Sequence, residues 1–173
     1  MALKEQFSQA YDEYAPLILR HIYFRVSDVN IAEDLAQETF FKAWQYMVSR
    51  DGKIKIRSFK AFFYKVANNL VIDYYRQKKP ATISIEEIND RELVTFPEQE
   101  KEFENSLLLR LIFKNLDKLK EEHQQILLFR YVDDLSNGEI SEITGRSAVN
   151  VRVIIHRALN RLKQAVNEET RNS

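Results

Sequence analysis

Tight turns between strands draw on glycine and proline, which supply or fix the backbone angles that turns need, and this chain has only three of each in 173 residues. Gly52, Gly138, Gly145, Pro16, Pro80 and Pro97 leave uninterrupted stretches far longer than a strand, which suits helices. With 45% hydrophobic and 30% charged residues there is apolar material for a packed interior and charge for a solvated exterior, which excludes a disordered polymer. The expected fold class is all-α, and the apolar spacing divides it into two small helical domains.

From Ile31 to Val48 the residues Ala32, Ala36, Phe40, Ala43 and Met47 recur at steps of three and four, forming one stripe of an amphipathic helix, with Glu33, Asp34, Gln37 and Glu38 mainly off it. A basic loop follows from Arg50 to Arg57 around Asp51-Gly52. Ser58 is placed to cap the next helix, in which Phe59, Phe62, Phe63, Val66, Leu70 and Tyr74 mark the buried stripe. Pro80 disfavours α geometry in the residue before it, so this helix is expected to stop at Lys79.

Between residues 80 and 104 the periodicity fails and acidic residues dominate, as in an extended connector, although Ile83, Ile85 and Ile88 argue against a purely flexible tether. Residues 1–79 and 105–173 are the expected domains. In the second, Leu107, Leu108, Leu111, Ile112, Leu116 and Leu119 describe one helix and Ile126 to Val132 lie in another. Ser136 and Glu139 have the spacing of a capping box, Gly145 suits a left-handed helix terminus, and Ser147 can cap a final helix.

Net charge is zero, which by itself points away from nucleic acid, but the distribution points towards it. Basic and acidic residues number 13 and 9 in residues 1–79, 2 and 8 in residues 80–104, and 11 and 9 in residues 105–173. Arg50 to Lys79 holds nine cations against Asp51 and Asp73, and Arg146 to Lys163 holds five and no acid, so each end carries its own basic patch.

A short helix, a glycine turn and a longer basic helix make a helix-turn-helix candidate. On the last helix Val151, Ile155, Ala158 and Leu162 share one side, with Ile154 at its edge, while Val149, Asn150, Arg152, Val153, His156, Arg157 and Asn160 take the remaining surface. The first turns of such a helix enter a major groove, where arginine pairs with guanine, asparagine with adenine, and valine can touch a thymine methyl. An ordinary amphipathic helix with a solvated basic side would carry the same pattern.

The first patch differs: the helix from Ser58 to Lys79 interleaves Lys60, Lys65, Arg76, Lys78 and Lys79 with tyrosines and with Asn68 and Asn69, a mixture that suits single-stranded nucleic acid. With Phe59, Phe62, Phe63 and Tyr74 assigned to the core, Tyr64 and Tyr75 are the aromatics left to meet bases.

Other classes find little support. There is no cysteine, no HExxH or EF-hand pattern and no phosphate-binding loop, and Glu121-Glu122 point to different faces of a helix. No catalytic residue, metal or cofactor is expected. No window approaches the apolar length of a membrane span and no leader pattern opens the chain, so a soluble cytoplasmic protein without membrane insertion is expected.

At these residues the chain resembles a known family. Asp34-Leu35-Ala36-Gln37-Glu38-Thr39-Phe40, continuing to Lys42-Ala43-Trp44, looks like the most characteristic helix of domain 2 of RNA polymerase sigma factors. Phe62 to Arg76, FFYKVANNLVIDYYR, is similar to that domain's promoter-melting helix. Leu119 to Tyr131, Leu135-Ser136, Glu139-Ile140 and His156-Arg157-Ala158-Leu159 resemble sigma domain 4. The order and the linker position match the small extracytoplasmic-function type.

The resemblance implies a non-enzymatic initiation factor that binds core RNA polymerase, directs it to promoters and helps to open them. It implies that Asp34, Gln37, Glu38 and Phe41 meet the clamp helices of the largest polymerase subunit. Flipped non-template bases of the minus-10 element would be met by the specificity loop Ser49 to Arg57, with Lys53, Lys55 and Arg57, and by Lys60, Tyr64, Asn69, Asp73 and Arg76. The duplex minus-35 element would be read by Ser147, Val149, Asn150, Arg152, Val153, His156, Arg157 and Arg161, with the polymerase flap supporting that domain. The acidic linker would run near the path of the nascent RNA, and an anti-sigma factor is a possible further partner.

Four positions depart from the family's habit: Val149 and Asn150 stand where a small residue and threonine are frequent, Ile154 where a basic residue is frequent, and Lys120 where a proline commonly precedes the acidic pair. A stand-alone helix-turn-helix regulator, binding duplex DNA without polymerase, and a helical adaptor without DNA contact are the other readings of the same residues.

Overall fold

The computed structural model describes residues 2–50, 56–78 and 103–172. Among the described residues every regular element is helical, and the helices before residue 79 and those after residue 102 form two separate compact units.

The first unit is three helices in mutual contact: α1 (Leu3–Val26), α2 (Val29–Val48) and α3 (Phe59–Lys78). Ser27, at φ 56°, turns the chain out of α1, and the Asp28 carboxylate then caps α2 by accepting from the Ile31 amide at 3.0 Å. That cap starts α2 at Val29, two residues before the expected start at Ile31. All five residues of the expected α2 stripe are buried, and the four polar residues predicted off it are exposed.

Aromatic packing holds the three helices together. Phe63 of α3 is fully buried, and the rings of Phe40, Phe7 and Tyr14 meet it edge-on with centroids 4.9, 5.7 and 6.2 Å away, the arrangement that ring quadrupoles favour. Ser58 caps α3, its hydroxyl accepting from the Ala61 amide at 3.1 Å. The last described residue of α3 is Lys78, against the expected end at Lys79.

The buried arc of α3 is wider than one stripe and is turned from the expected one. Ala61, Phe63, Tyr64, Ala67, Asn68, Leu70 and Val71 are buried, whereas Phe59, Phe62, Val66 and Tyr74 are only half-buried. Two neighbours cause this: α1 and α2 both pack on α3, so the covered surface spans about half the helix circumference, at about 100° per residue.

In the second unit, α4 (Phe103–Asn115) starts two residues before the expected boundary and leads into a single 3-10 turn, Leu116–Lys118. The helix expected to reach Leu119 ends sooner, where the Asn115 side-chain amide donates to the Leu111 carbonyl at 3.1 Å and Lys118 Nζ donates to Asn115 Oδ1 at 3.1 Å. α5 (Glu121–Leu127) begins with two acids at the positive end of its dipole and widens into a π-turn, Leu128–Val132. α6 (Asn137–Thr144) and α7 (Ala148–Arg171) complete the unit.

Its core is aliphatic, built from Ile112, Leu116, Leu119, Ile126 to Phe129, Leu135, Ile140 and Ile143 against one side of α7. The buried line of α7 is Val151, Ile154, Ala158, Leu162 and Ala165. Ile154, read as an edge residue, is 5% exposed, while Ile155 is only half-buried, so the line is turned slightly from the expected one.

Candidate nucleic-acid interface

The turn before α7 is assembled from local hydrogen bonds. At the start of α6 the Ser136 hydroxyl accepts from the Glu139 amide at 3.2 Å and the Ser136 amide donates to the Glu139 carboxylate at 2.8 Å, the reciprocal box expected from the sequence. α6 ends at Gly145, whose φ of 73° costs a residue without a Cβ little. The Ser147 hydroxyl then accepts from the Asn150 amide at 3.1 Å and opens α7. α6 and α7 are packed on each other, so the start of α7 is held on a rigid base with its outer side free.

Exposed on that outer side are Val149, Asn150, Arg152, Val153, His156 and Arg157. Taking about 100° per residue, Val149, Val153, His156 and Asn160 fall within about 60° of one another, opposite the buried line, with Arg152 on one flank and Asn150 and Arg157 on the other. Among the described residues neither Arg152 nor Arg157 has an ion-pair or hydrogen-bond partner. The Asn160 amide lies 3.2 Å from His156 Nε2. Arg161 is apart from this group: it bonds Gln164 at 3.3 Å, lies 3.8 Å from Glu168 and is about 120° round the helix from Val149.

The second surface lies on the first unit. Lys65, Asn69, Asp73 and Arg76 are all exposed on α3 and form one column, with Asp73 and Arg76 3.9 Å apart. Asn68, beside Asn69, points inward, and its Oδ1 accepts from Arg25 at 3.3 Å. Arg57 is exposed just before α3, and Lys53 and Lys55 lie outside the described residues. Lys60 is half-buried on the opposite side of α3 from Asn69 and does not join the column.

Tyr64 must be corrected. It was expected to face bases, but it is fully buried, its ring edge-on to that of His21 at 5.2 Å, because that side of α3 is covered by α1. Tyr75 is half-buried as well, its hydroxyl donating to the Arg25 carbonyl. Tyr46 and Arg50 stand out in their place. Tyr46 is 42% exposed, packs at 5.5 Å on Phe62, and carries the Arg50 guanidinium 5.3 Å above its ring, near the end of α2. The signal available in the sequence was Arg50 four residues after Tyr46, one turn on.

A third group occupies α2. Asp34, Gln37, Glu38 and Phe41 are all exposed on one face, Glu38 pairing with Lys42 at 2.9 Å. Phe41 is 60% exposed and Val48, two turns on along the same face, is 49% exposed. Apolar exposure of this kind, rimmed by polar groups, is what a protein-binding surface displays.

Comparison with known proteins places both units in one family of chains. Residues 10–80 match the model of Sigma-70 region 2, and residues 109–162 match that of Sigma-70 region 4. RNA polymerase sigma factor YlaC of Bacillus subtilis strain 168 is 30% identical over 167 residues, covering 95% of this chain and 94% of the relative. The chain belongs to the extracytoplasmic-function RNA polymerase sigma factors. SigW of the same organism is 29% identical over 173 residues, with 95% of this sigma factor and 91% of SigW covered.

Two solved structures share the fold of this sigma factor. RpoE of Bartonella quintana, in complex with the anti-sigma factor NepR, superposes with a TM-score of 0.69 at 20% identity, covering 94% of this chain and 98% of that one. CnrH, in complex with the cytosolic domain of CnrY, gives 0.66 at 18% identity, covering 95% and 90%. As in the family, this sigma factor is a transcription-initiation factor. Among its described residues no helix is long and apolar enough to cross a membrane.

Proposed function

We propose a division of labour among the three surfaces in a sigma factor that binds core RNA polymerase, directs it to promoters and promotes their opening. The observation that carries it is the outer face of α7, where exposed Asn150, Arg152, Val153, His156 and Arg157 stand at the start of a capped helix in a stretch with no acid. Residue types, exposure and location match a helix that enters a major groove. α7 is therefore read as the minus-35 helix, with Ser147 fixing its start and Arg161 on a flank suited to phosphate.

The column Asn69, Asp73 and Arg76, with Arg57 and the residues that follow Arg50, receives the minus-10 element as a single strand. Extruding a base costs a few kcal/mol, so a surface that binds only the open strand shifts the duplex towards melting. The face of α2 with Asp34, Gln37, Glu38 and Phe41 is the polymerase-binding surface. Residues 1–79 and 105–173 act as the two DNA-reading domains, and residues 80–104 as the connector through the polymerase.

In this reading the chain does no bond chemistry, needs no cofactor and works in the cytoplasm, where polymerase and promoter are. An anti-sigma factor is a fitting regulator, since it would need only to cover surfaces that polymerase or DNA must reach.

Mobility-shift assays of promoter DNA test the proposal. The chain alone, with zero net charge, should shift the duplex weakly, and the chain with core polymerase should shift it strongly. A free chain that binds as well as the reconstituted holoenzyme would favour the stand-alone regulator instead.

A further inference from the structure

The DNA-facing side of α7 has an apolar centre. Val149 is 73% exposed and Val153 37% exposed, and their spacing of four puts them about 40° apart round the helix and about 6 Å apart along it. They lie opposite the buried Val151, Ile154 and Ala158 and are bordered by Arg152 on one side and by Asn150 and Arg157 on the other. Folding supplies little reason for valine at Val149: a β-branched residue loses rotamer freedom in a helix, and at 73% exposure it gains little burial in return.

An apolar strip edged by partner-free guanidiniums fits a surface with a negative rim and isolated apolar groups on its floor. The major groove of duplex DNA has that form, with phosphates along its edges and the C5-methyl of thymine as the apolar group on the base edges. An apolar protein partner would satisfy the valines but not the two arginines, in a stretch from Arg146 to Lys163 that has no carboxylate of its own.

We propose that Val149 and Val153 are specificity-determining residues that read the methyl groups of two thymines in the minus-35 duplex. Their separation of about 6 Å sets those thymines within about two base-pair steps of each other, on either strand. The inference rests on α7 being the minus-35 helix and deepens that reading. Asn150, whose amide suits adenine, stands beside the strip and fits an A·T pair at the same step.

The test uses holoenzyme reconstituted from the full chain and core polymerase, on a promoter located by sequencing transcript starts. Each thymine of the minus-35 window is replaced singly by uracil, which removes only the methyl. The expected result is two positions at which the exchange weakens binding about three- to fivefold, the effect of one methyl leaving an apolar contact. One penalty should vanish in Val149→Ala and the other in Val153→Ala, substitutions at exposed sites that leave the core of the unit untouched.

A uracil series without effect, on a promoter where scrambling the whole window still lowers binding, would overturn this inference and leave the reading of α7 standing. Uracil penalties that persist in both variants would assign the methyls to other side chains and overturn it too. Scrambling the window without effect would overturn the reading of α7 itself.

Discussion

Asn68 and Asn69 are chemically identical neighbours with opposite surroundings. The first is 5% exposed and accepts from Arg25, and the second faces solvent in the column with Asp73 and Arg76. Asn69→Ala should therefore lower promoter opening about tenfold, the loss of one or two hydrogen bonds to an extruded base, with thermal unfolding unchanged. Permanganate footprinting of the open strand beside a melting curve checks both halves. Tyr64 gives the converse case: Tyr64→Ala should cost about 3–5 kcal/mol in unfolding experiments, as for other large aromatics removed from a core, and Tyr64→Phe should leave opening unaltered. Residue types and a basic window picked Asn69 and Tyr64 out together, and could not divide them. Which of two asparagines one position apart faces inward depends on how many helices cover the segment, and that is a tertiary fact.

At the scale of elements, the helices with caps and clean stripes were legible, because the cap residue and the periodic apolar side are both local. Ser58, Ser136, Gly145 and Ser147 all act as their residue types indicated. Gly145→Ala should cost about 1–2 kcal/mol through its left-handed backbone alone, since a Cβ there would meet nothing within 4 Å, and denaturant titration measures it. Less legible were the early end of α4, where the side-chain bonds of Asn115 intervene, and the π-turn after α5, which starts within a run of buried residues from Ile126 to Phe129 that has no helical period. The end of α7 was also hidden: Glu169 joins it to Lys118 and, at 3.0 Å, to Lys114 beyond α4's midpoint. Hydrogen bonds from Lys118 and then Lys114 hold the Glu169 carboxyl below its ordinary value. A group lowered by folding stabilises above its ordinary pKa and loses that effect as pH falls through the lowered one. Glu169→Gln should thus flatten the acid side of the stability profile and leave neutral pH only slightly affected, as both partners are solvated. Thermal midpoints taken across an acid series would check it.

For the whole molecule, charge distribution says more than total charge. Two basic ends and an acidic middle sum to zero, so the free chain should hold DNA only weakly by phosphate contacts alone. Arg152→Ala together with Arg157→Ala should reduce holoenzyme binding about tenfold or more and lower the steepness of its salt dependence, with filter binding at several ionic strengths as the measurement. Organisation into two units was legible because periodicity stops and acidity rises between them, whereas the polymerase-facing role proposed for α2 is not a matter of periodicity at all: an exposed Phe41 has no local signature, and the proposal comes from the resemblance of the surrounding motif. The claim on which the account depends is that two separately folded units read two separate promoter elements. Sequencing the transcript starts made by core polymerase reconstituted with this chain tests it most directly. Start sites preceded by two shared elements at a constant spacing are the predicted result, and start sites sharing a single element, or none, would contradict it.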